Sequence, residues 1–88
     1  MIINYSKRFI KHLRKTPVAV QLALKKRLQI FVVNQYDPIL NNHELRGKWK
    51  SCRSINITGD WRAIYRYRDG YIEWIDFVEI CTHSQLYI

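Results

Sequence analysis

The second half of the chain holds His43, Asp60, Arg62, His83 and Tyr87, with Lys48, Lys50 and Arg53 close by in sequence. These residue types can break a phosphodiester bond of RNA without a metal. A base takes the proton from a 2′-OH, an acid returns one to the leaving 5′-oxygen, and cations steady the charge that builds on phosphorus. A histidine can hold and release a proton near neutral pH, which makes His83 the candidate acid. Asp60 or His43 is then the candidate base, or a group that orients the substrate hydroxyl. Tyr87 could stack on a base or bond the phosphate, while Lys48, Lys50, Arg53 and Arg62 could meet phosphate charge. Trp49, Trp61 and Trp74 read first as packing residues of a sheet, and only second as stacking platforms. Leu86 and Tyr87 also read as residues that tie down the last turn of chain.

The charge balance suits such a substrate. The 88 residues carry a formal net charge of +8, unevenly spread. From Met1 to Tyr36 there are eight Lys/Arg and no Asp or Glu, whereas Asp37 to Ile88 holds seven of each sign. A surface of this kind attracts polyanions: nucleic acid, an acidic membrane surface or an acidic protein partner. No apolar run approaches the ~20 residues of a membrane span. The first residues show neither an apolar signal core nor a small-residue cleavage site, so a cytoplasmic location is expected. There are two cysteines, Cys52 and Cys81, expected to be free thiols. Together with His43 and His83 they lack the close Cys pair of a zinc finger, so no metal and no cofactor is expected.

The elements that must position these residues are legible in outline. The length allows one domain, residues 1–88. Met1 to Asn4 could form a short strand. Ser6 is a plausible N-cap for a helix carrying Tyr5, Phe9 and Leu13 at four-residue spacing. Thr16-Pro17 restarts the chain, with Thr as N-cap and Pro at the first helical position. Val20, Leu24, Leu28 and Val32, joined by Phe31, predict a second helix that ends before Asp37-Pro38. Residues 39–50 read as a loop. From Cys52 the period changes to two: Arg53, Ile55 and Ile57 alternate with Ser54 and Asn56. Thr58-Gly59 reads as a turn, Trp61 to Arg68 as a second strand and Tyr71 to Ile80 as a third, joined by an Asp69-Gly70 hairpin turn. A two-residue turn sets Arg68 opposite Tyr71, Arg66 opposite Glu73, Tyr65 opposite Trp74, Ile64 opposite Ile75, Arg62 opposite Phe77 and Asp60 opposite Glu79. The fold class is α+β, with two N-terminal helices packed on a small, mainly antiparallel sheet.

The order of residues adds a resemblance. The segments His43-Glu-Leu-Arg-Gly-Lys-Trp-Lys50, Gly59-Asp-Trp-Arg62 and Thr82-His-Ser-Gln-Leu-Tyr87 together resemble the RelE/ParE toxin superfamily, most closely its YafQ-like branch of mRNA interferases. The match runs over most of residues 43–88. The resemblance implies a RelE-like fold and the toxin of a type II toxin–antitoxin pair. It implies entry into the ribosomal A site and cleavage of the mRNA there by 2′-OH attack, leaving a cyclic phosphate. It also implies a cognate antitoxin, and operator DNA bound only through the antitoxin complex. The branch's catalytic positions fall on His43, Asp60, His83 and Tyr87, and an associated aromatic on Trp61. Three residues depart from the pattern. Asn56 stands where some members have a histidine. Glu79 stands where some have an arginine beside the scissile phosphate, and a carboxylate there would oppose phosphate unless Asp60 and Glu79 share a proton. Cys81 replaces a glycine before the Thr-His pair. The alternatives are a ParE-like gyrase inhibitor, which would not need His43, Asp60 and His83, and a non-catalytic module that only docks RNA or an acidic partner.

Overall fold

The computed structural model describes residues 1–86; Tyr87 and Ile88 lie outside the described residues, and so does any role of Tyr87. In chain order the elements are β1 (Ile2–Tyr5), α1 (Lys7–Leu13), α2 (Val18–Val33), β2 (His43–Glu44), β3 (Arg53–Asn56), β4 (Trp61–Arg68), β5 (Tyr71–Thr82) and α3 (His83–Leu86). Single 3-10 turns occupy Pro38–Leu40 and Gly47–Trp49. The five strands form one sheet in the order β1-β5-β4-β3-β2. β1 runs parallel to β5, and every other neighbouring pair is antiparallel. The sheet and two N-terminal helices match the expected α+β class, with a short third helix added at the end.

Ser6 caps α1 as expected, its Oγ accepting from the Phe9 amide at 3.0 Å. Thr16 does not cap α2. Its hydroxyl donates back to the Leu13 carbonyl at 2.7 Å, closing α1, and Pro17 stands at the N-cap of α2 with no side-chain bond. Of the spaced apolar residues on α2, Val20, Leu24 and Phe31 are buried, but Val32 is half exposed. Four-residue spacing drifts about 40° per step, so Val32 lies roughly 120° from Val20, whereas Phe31, eleven residues on, returns to the same face.

The helices and one face of the sheet share a core of Phe9, Phe31, Tyr65, Ile75 and Phe77 with smaller neighbours. Phe31 meets Tyr65 and Phe77 edge-on at 5.2 Å and 5.6 Å between centroids, and Phe9 lies 5.7 Å from Phe77. Side chains alternate along a strand, so Ile64 points the other way from Ala63 and Tyr65. There it joins Leu45, Cys81 and Leu86 in a second, smaller cluster, against which Trp49, Cys52 and Val78 pack. This cluster holds α3 and the 45–52 segment to the sheet. Leu86 thus ties down the end of the described chain.

The hairpin turn is where it was expected, with Asp69 and Gly70 at φ 50° and 80°, the left-handed pair of a two-residue turn. Arg68 faces Tyr71 as expected, but the register then shifts twice. Tyr67 faces Ile75, Arg66 faces Asp76, Tyr65 faces Phe77, Ile64 faces Glu79 and Arg62 faces Cys81. The simple register would have set Tyr65 and Ala63, both core residues, against Trp74 and Asp76. The shifts instead bring Ile75, Phe77 and Ile80 beside them, because a sheet with one buried face fixes register by its apolar set. The expected Arg66–Glu73 pair is replaced by Arg68, which grips Asp76 through two bonds of 3.1 Å and 2.6 Å. The expected Tyr65–Trp74 pair is replaced by Tyr65–Phe77, and the Arg68 guanidinium lies 4.8 Å from the Trp74 ring.

The loop expected over residues 39–50 contains the short strand β2. His43 pairs with Ser54 and Glu44 with Arg53. Two paired residues leave no alternation to read, so nothing in the sequence distinguished them from loop.

Candidate active site

The site begins at the Thr58–Trp61 turn. The Thr58 hydroxyl accepts from the amides of Asp60 and Trp61 at 3.3 Å and 3.1 Å. The Arg62 guanidinium donates to the carbonyls of Thr58, Gly59 and Trp61 at 3.0, 3.2 and 3.1 Å. Arg62, a candidate for phosphate, therefore holds the turn that presents Asp60. The Asp60 carbonyl in turn accepts from the His83 amide at 2.7 Å. That bond joins the start of β4 to the first residue of α3. Asp60 thus meets His83 rather than Glu79, because the two register shifts carry Glu79 to Ile64.

A reciprocal cap fixes α3. The Thr82 amide donates to Gln85 Oε1 at 2.9 Å, and the Gln85 amide donates to Thr82 Oγ1 at 3.3 Å. This is the Thr-x-x-Gln capping box, and it sets the direction in which His83 leaves the sheet. With Leu86 buried below it, the four-residue helix is held at both ends.

Beside this junction lies a cleft of 400 Å³. Arg8 and His12 of α1, with Lys15 just beyond its end, form one wall. Lys48 and Trp49 form the other, with Trp61, Glu79 and Gln85 between them. Glu79 is only 4% exposed. Its Oε2 accepts from Arg8 Nε at 2.7 Å, and its Oε1 lies 2.5 Å from His12 Nδ1. The Ile80 amide adds a third donor at 2.9 Å. The charge of Glu79 is thus met by partners from α1, without Asp60. Arg8 and Lys48 also lie over the Trp49 ring, at 5.9 Å and 5.5 Å from its centroid. Cys81 lines the same cleft. Burial pushes its thiol up to about 11, with the Glu79 charge adding to the rise and Arg62, Arg8 and Lys48 opposing it. It is therefore a neutral thiol at physiological pH. Cys52 is also raised, by burial.

The remaining candidates sit elsewhere. His43 lies on edge strand β2, its Nδ1 2.8 Å from the Asn41 carbonyl. Two strand spacings separate β2 from β4, roughly 10 Å. Arg53 donates to Asn42 Oδ1 at 2.9 Å, approaches Glu44 at 3.5 Å and lies 5.8 Å from the Tyr36 ring. Lys50 and Arg53 line a separate groove along the β2–β3 edge. The structure therefore brings Asp60, Trp61 and His83 to one end of the sheet with Lys48 close by, and leaves His43, Lys50 and Arg53 on its far edge. Arg8, His12 and Lys15 were not singled out in the sequence. Arg8 and His12 are four residues apart on a helix and so share a face, but nothing local pointed to Glu79.

A mainly antiparallel five-stranded sheet with two helices on one face and a cationic cleft at one end is the RelE-like toxin fold. The whole chain, residues 1–88, matches the family described as the bacterial toxin of type II toxin–antitoxin systems, YafQ, and belongs to that family. No curated protein sequence matches it at a significant level. Among solved structures it is similar to YafQ from E. coli strain BL21(DE3), at 24% identity over 98% of this chain and 97% of that one, with a TM-score of 0.71. It is also similar to a YoeB/ParE toxin from Agrobacterium tumefaciens, at 14% identity over 94% and 99% of the two chains, with a TM-score of 0.74. A third similar chain comes from the E. coli DinJ-YafQ toxin-antitoxin complex, at 24% identity over 98% and 96%, with a TM-score of 0.63. No helix among the described residues is long and apolar enough to cross a membrane.

Proposed function

We propose that this toxin is a metal-independent endoribonuclease that cuts mRNA in the ribosomal A site through attack of the 2′-OH. The observation that carries the reading is the junction of Asp60 with His83 beside the cleft. His83 follows closely on Cys81 and precedes Gln85, two residues that line a cleft carrying three cations, Arg8, Lys15 and Lys48, against one carboxylate, Glu79. His83 is the proposed acid, Asp60 a base or orienting group, Trp61 a wall of the binding cleft, and Lys48 a phosphate ligand. His43, Lys50, Arg53 and Tyr87 retain proposed roles in contacting a longer stretch of RNA. Arg62 would act chiefly by holding the turn.

Membership of a toxin–antitoxin family supports a cognate antitoxin as partner, and a similar chain is seen in the DinJ-YafQ complex. An acidic segment of such a partner would lie on the basic surface and cover or distort the cleft. Operator DNA would be bound only through that complex, and the protein would act in the cytoplasm. Affinity for ribosomes or RNA should fall with added salt, because each phosphate contact releases counterions.

The test is controlled expression of wild type and His83→Ala, following growth and mapping mRNA 5′ ends. The nuclease reading expects arrest with new ends inside translated messages for wild type, and neither for a folded His83→Ala. Arrest without new ends would favour gyrase inhibition. No effect of either protein would favour a binding module.

A further inference from the structure

The cleft contains a candidate base that the sequence motifs do not mark, which leaves Asp60 the orienting role. We infer that His12 is the general base of RNA cleavage and Arg8 a ligand of the scissile phosphate, with Glu79 the positioning residue that holds both. This rests on the nuclease reading above.

His12 Nδ1 faces Glu79 Oε1, so the carboxylate selects the tautomer that carries its proton on Nδ1. Nε2, on the opposite side of the ring, is then left with a lone pair. A carboxylate behind one imidazole nitrogen and an open second nitrogen is how proteins orient an acid–base histidine. The His12 side chain is 38% exposed and that of Arg8 57%, although Glu79 beneath them is 5% exposed. A purely structural ion pair would be served by closing over all three groups. Here the carboxylate is buried and its two partners stay open to the cleft. Arg8 reaches Glu79 through Nε, and its two Nη groups make no other hydrogen bond among the described residues. They are available to a phosphate, while the guanidinium is steadied over Trp49. Glu79 also explains itself in this arrangement. The negative charge that would repel phosphate is offset by α1, which puts a cation and a histidine where β5 has a carboxylate.

In the step, His12 Nε2 takes the 2′-OH proton and the 2′-oxygen forms its bond to phosphorus. The P–O5′ bond breaks, and the departing O5′ takes a proton from His83. The products are a 2′,3′-cyclic phosphate and a 5′-hydroxyl. His12 is left protonated and His83 neutral, and exchange with water restores both.

The experiment is single-turnover cleavage of a defined message on purified ribosomes, across pH, by wild type, His12→Gln, Arg8→Gln, Glu79→Gln and His83→Ala, each checked for folding by its thermal transition. The charged and titratable groups around the His12 ring are Arg8 on α1, Lys15 just after it, Lys48 on the opposing wall, and Glu79 and Cys81 on β5. His12→Gln should lower the cleavage rate at saturation about 100-fold with half-saturation little changed. Arg8→Gln should weaken half-saturation about 10-fold. Glu79→Gln should lower the rate at saturation ~10-fold and also weaken half-saturation, because it releases both the base and the phosphate ligand, which a purely structural role in a folded protein would not do. If Glu79→Gln fails to fold, the two variants on the exposed face of α1 still decide. Near wild-type cleavage by a folded His12→Gln, with His83→Ala inactive, would overturn this inference and leave the nuclease reading standing. Absence of cleavage by wild type itself would remove both.

Discussion

Two regions of the molecule offer a histidine with basic neighbours, and they differ in what those residues are already doing. On the β2–β3 edge, His43 is engaged with the Asn41 carbonyl and Arg53 with Asn42, Glu44 and the Tyr36 ring. In the cleft, Arg8 and His12 share one buried carboxylate and keep most of their remaining polar groups toward the open space. The first region is assembled from one stretch of chain between Tyr36 and Arg53. The second joins positions 67 and 71 apart. The difference shows that nearness in sequence marks where a motif lies, while the availability of a side chain for chemistry depends on which partners the fold has already given it.

The largest expected effect comes from removing the support of the cleft. Phe77 lies under α1 and touches Phe9, Phe31 and Tyr65. Phe77→Ala should cost about 3–5 kcal/mol in chemical denaturation. It should loosen α1 first, seen as faster hydrogen exchange in residues 7–13 than along β3. Uniform loss of protection would mean that the α1 wall is not a separate support.

A sharper test contrasts the two regions directly. Arg53→Gln should cost about 1–2 kcal/mol of stability through its lost bond to Asn42, and, as a contact to RNA away from the cleft, should weaken half-saturation less than Arg8→Gln does. Arg8→Gln should cost a similar amount of stability, because buried Glu79 loses a charged donor, but should weaken half-saturation about 10-fold. Equal kinetic effects would erase the distinction between cleft and edge.

The smallest effect is on pH dependence. The Cys81 thiol is raised from 9.0 to about 11 in the folded state. Below pH 9 both states keep the proton and the group contributes nothing to the pH slope. Between 9 and 11 only the unfolded chain ionises, so stability falls as pH rises through that window. Allowing for partial solvent access, the loss is roughly 1 kcal/mol. Denaturation midpoints at pH 8 and 10.5 should therefore differ less for Cys81→Ala than for wild type, and an equal difference would remove Cys81 as the cause.

Much of the fold was legible because its signals are local. Ser6 caps α1, Asp69-Gly70 closes the hairpin, and β4 spans Trp61–Arg68 as its pattern required. The register was not legible. It follows from which β5 residues reach the core, and Asp76 and Glu79 interrupt the apolar set that would have shown it. Thr82 and Gln85 carry a capping signal that places His83, one left unused in the sequence beside the histidine and the apolar end of that segment. The Glu79 departure looked like damage because its compensation, Arg8 and His12, lies at the other end of the chain.

The most direct test of the central claim uses a message with one 2′-deoxy nucleotide at a mapped cleavage position, held in the A site with the purified toxin. Attack by the neighbouring 2′-OH requires that bond to survive, while an all-ribose message is cut there to a 2′,3′-cyclic phosphate and a 5′-hydroxyl. Cleavage of the deoxy-substituted bond at an undiminished rate would contradict the account.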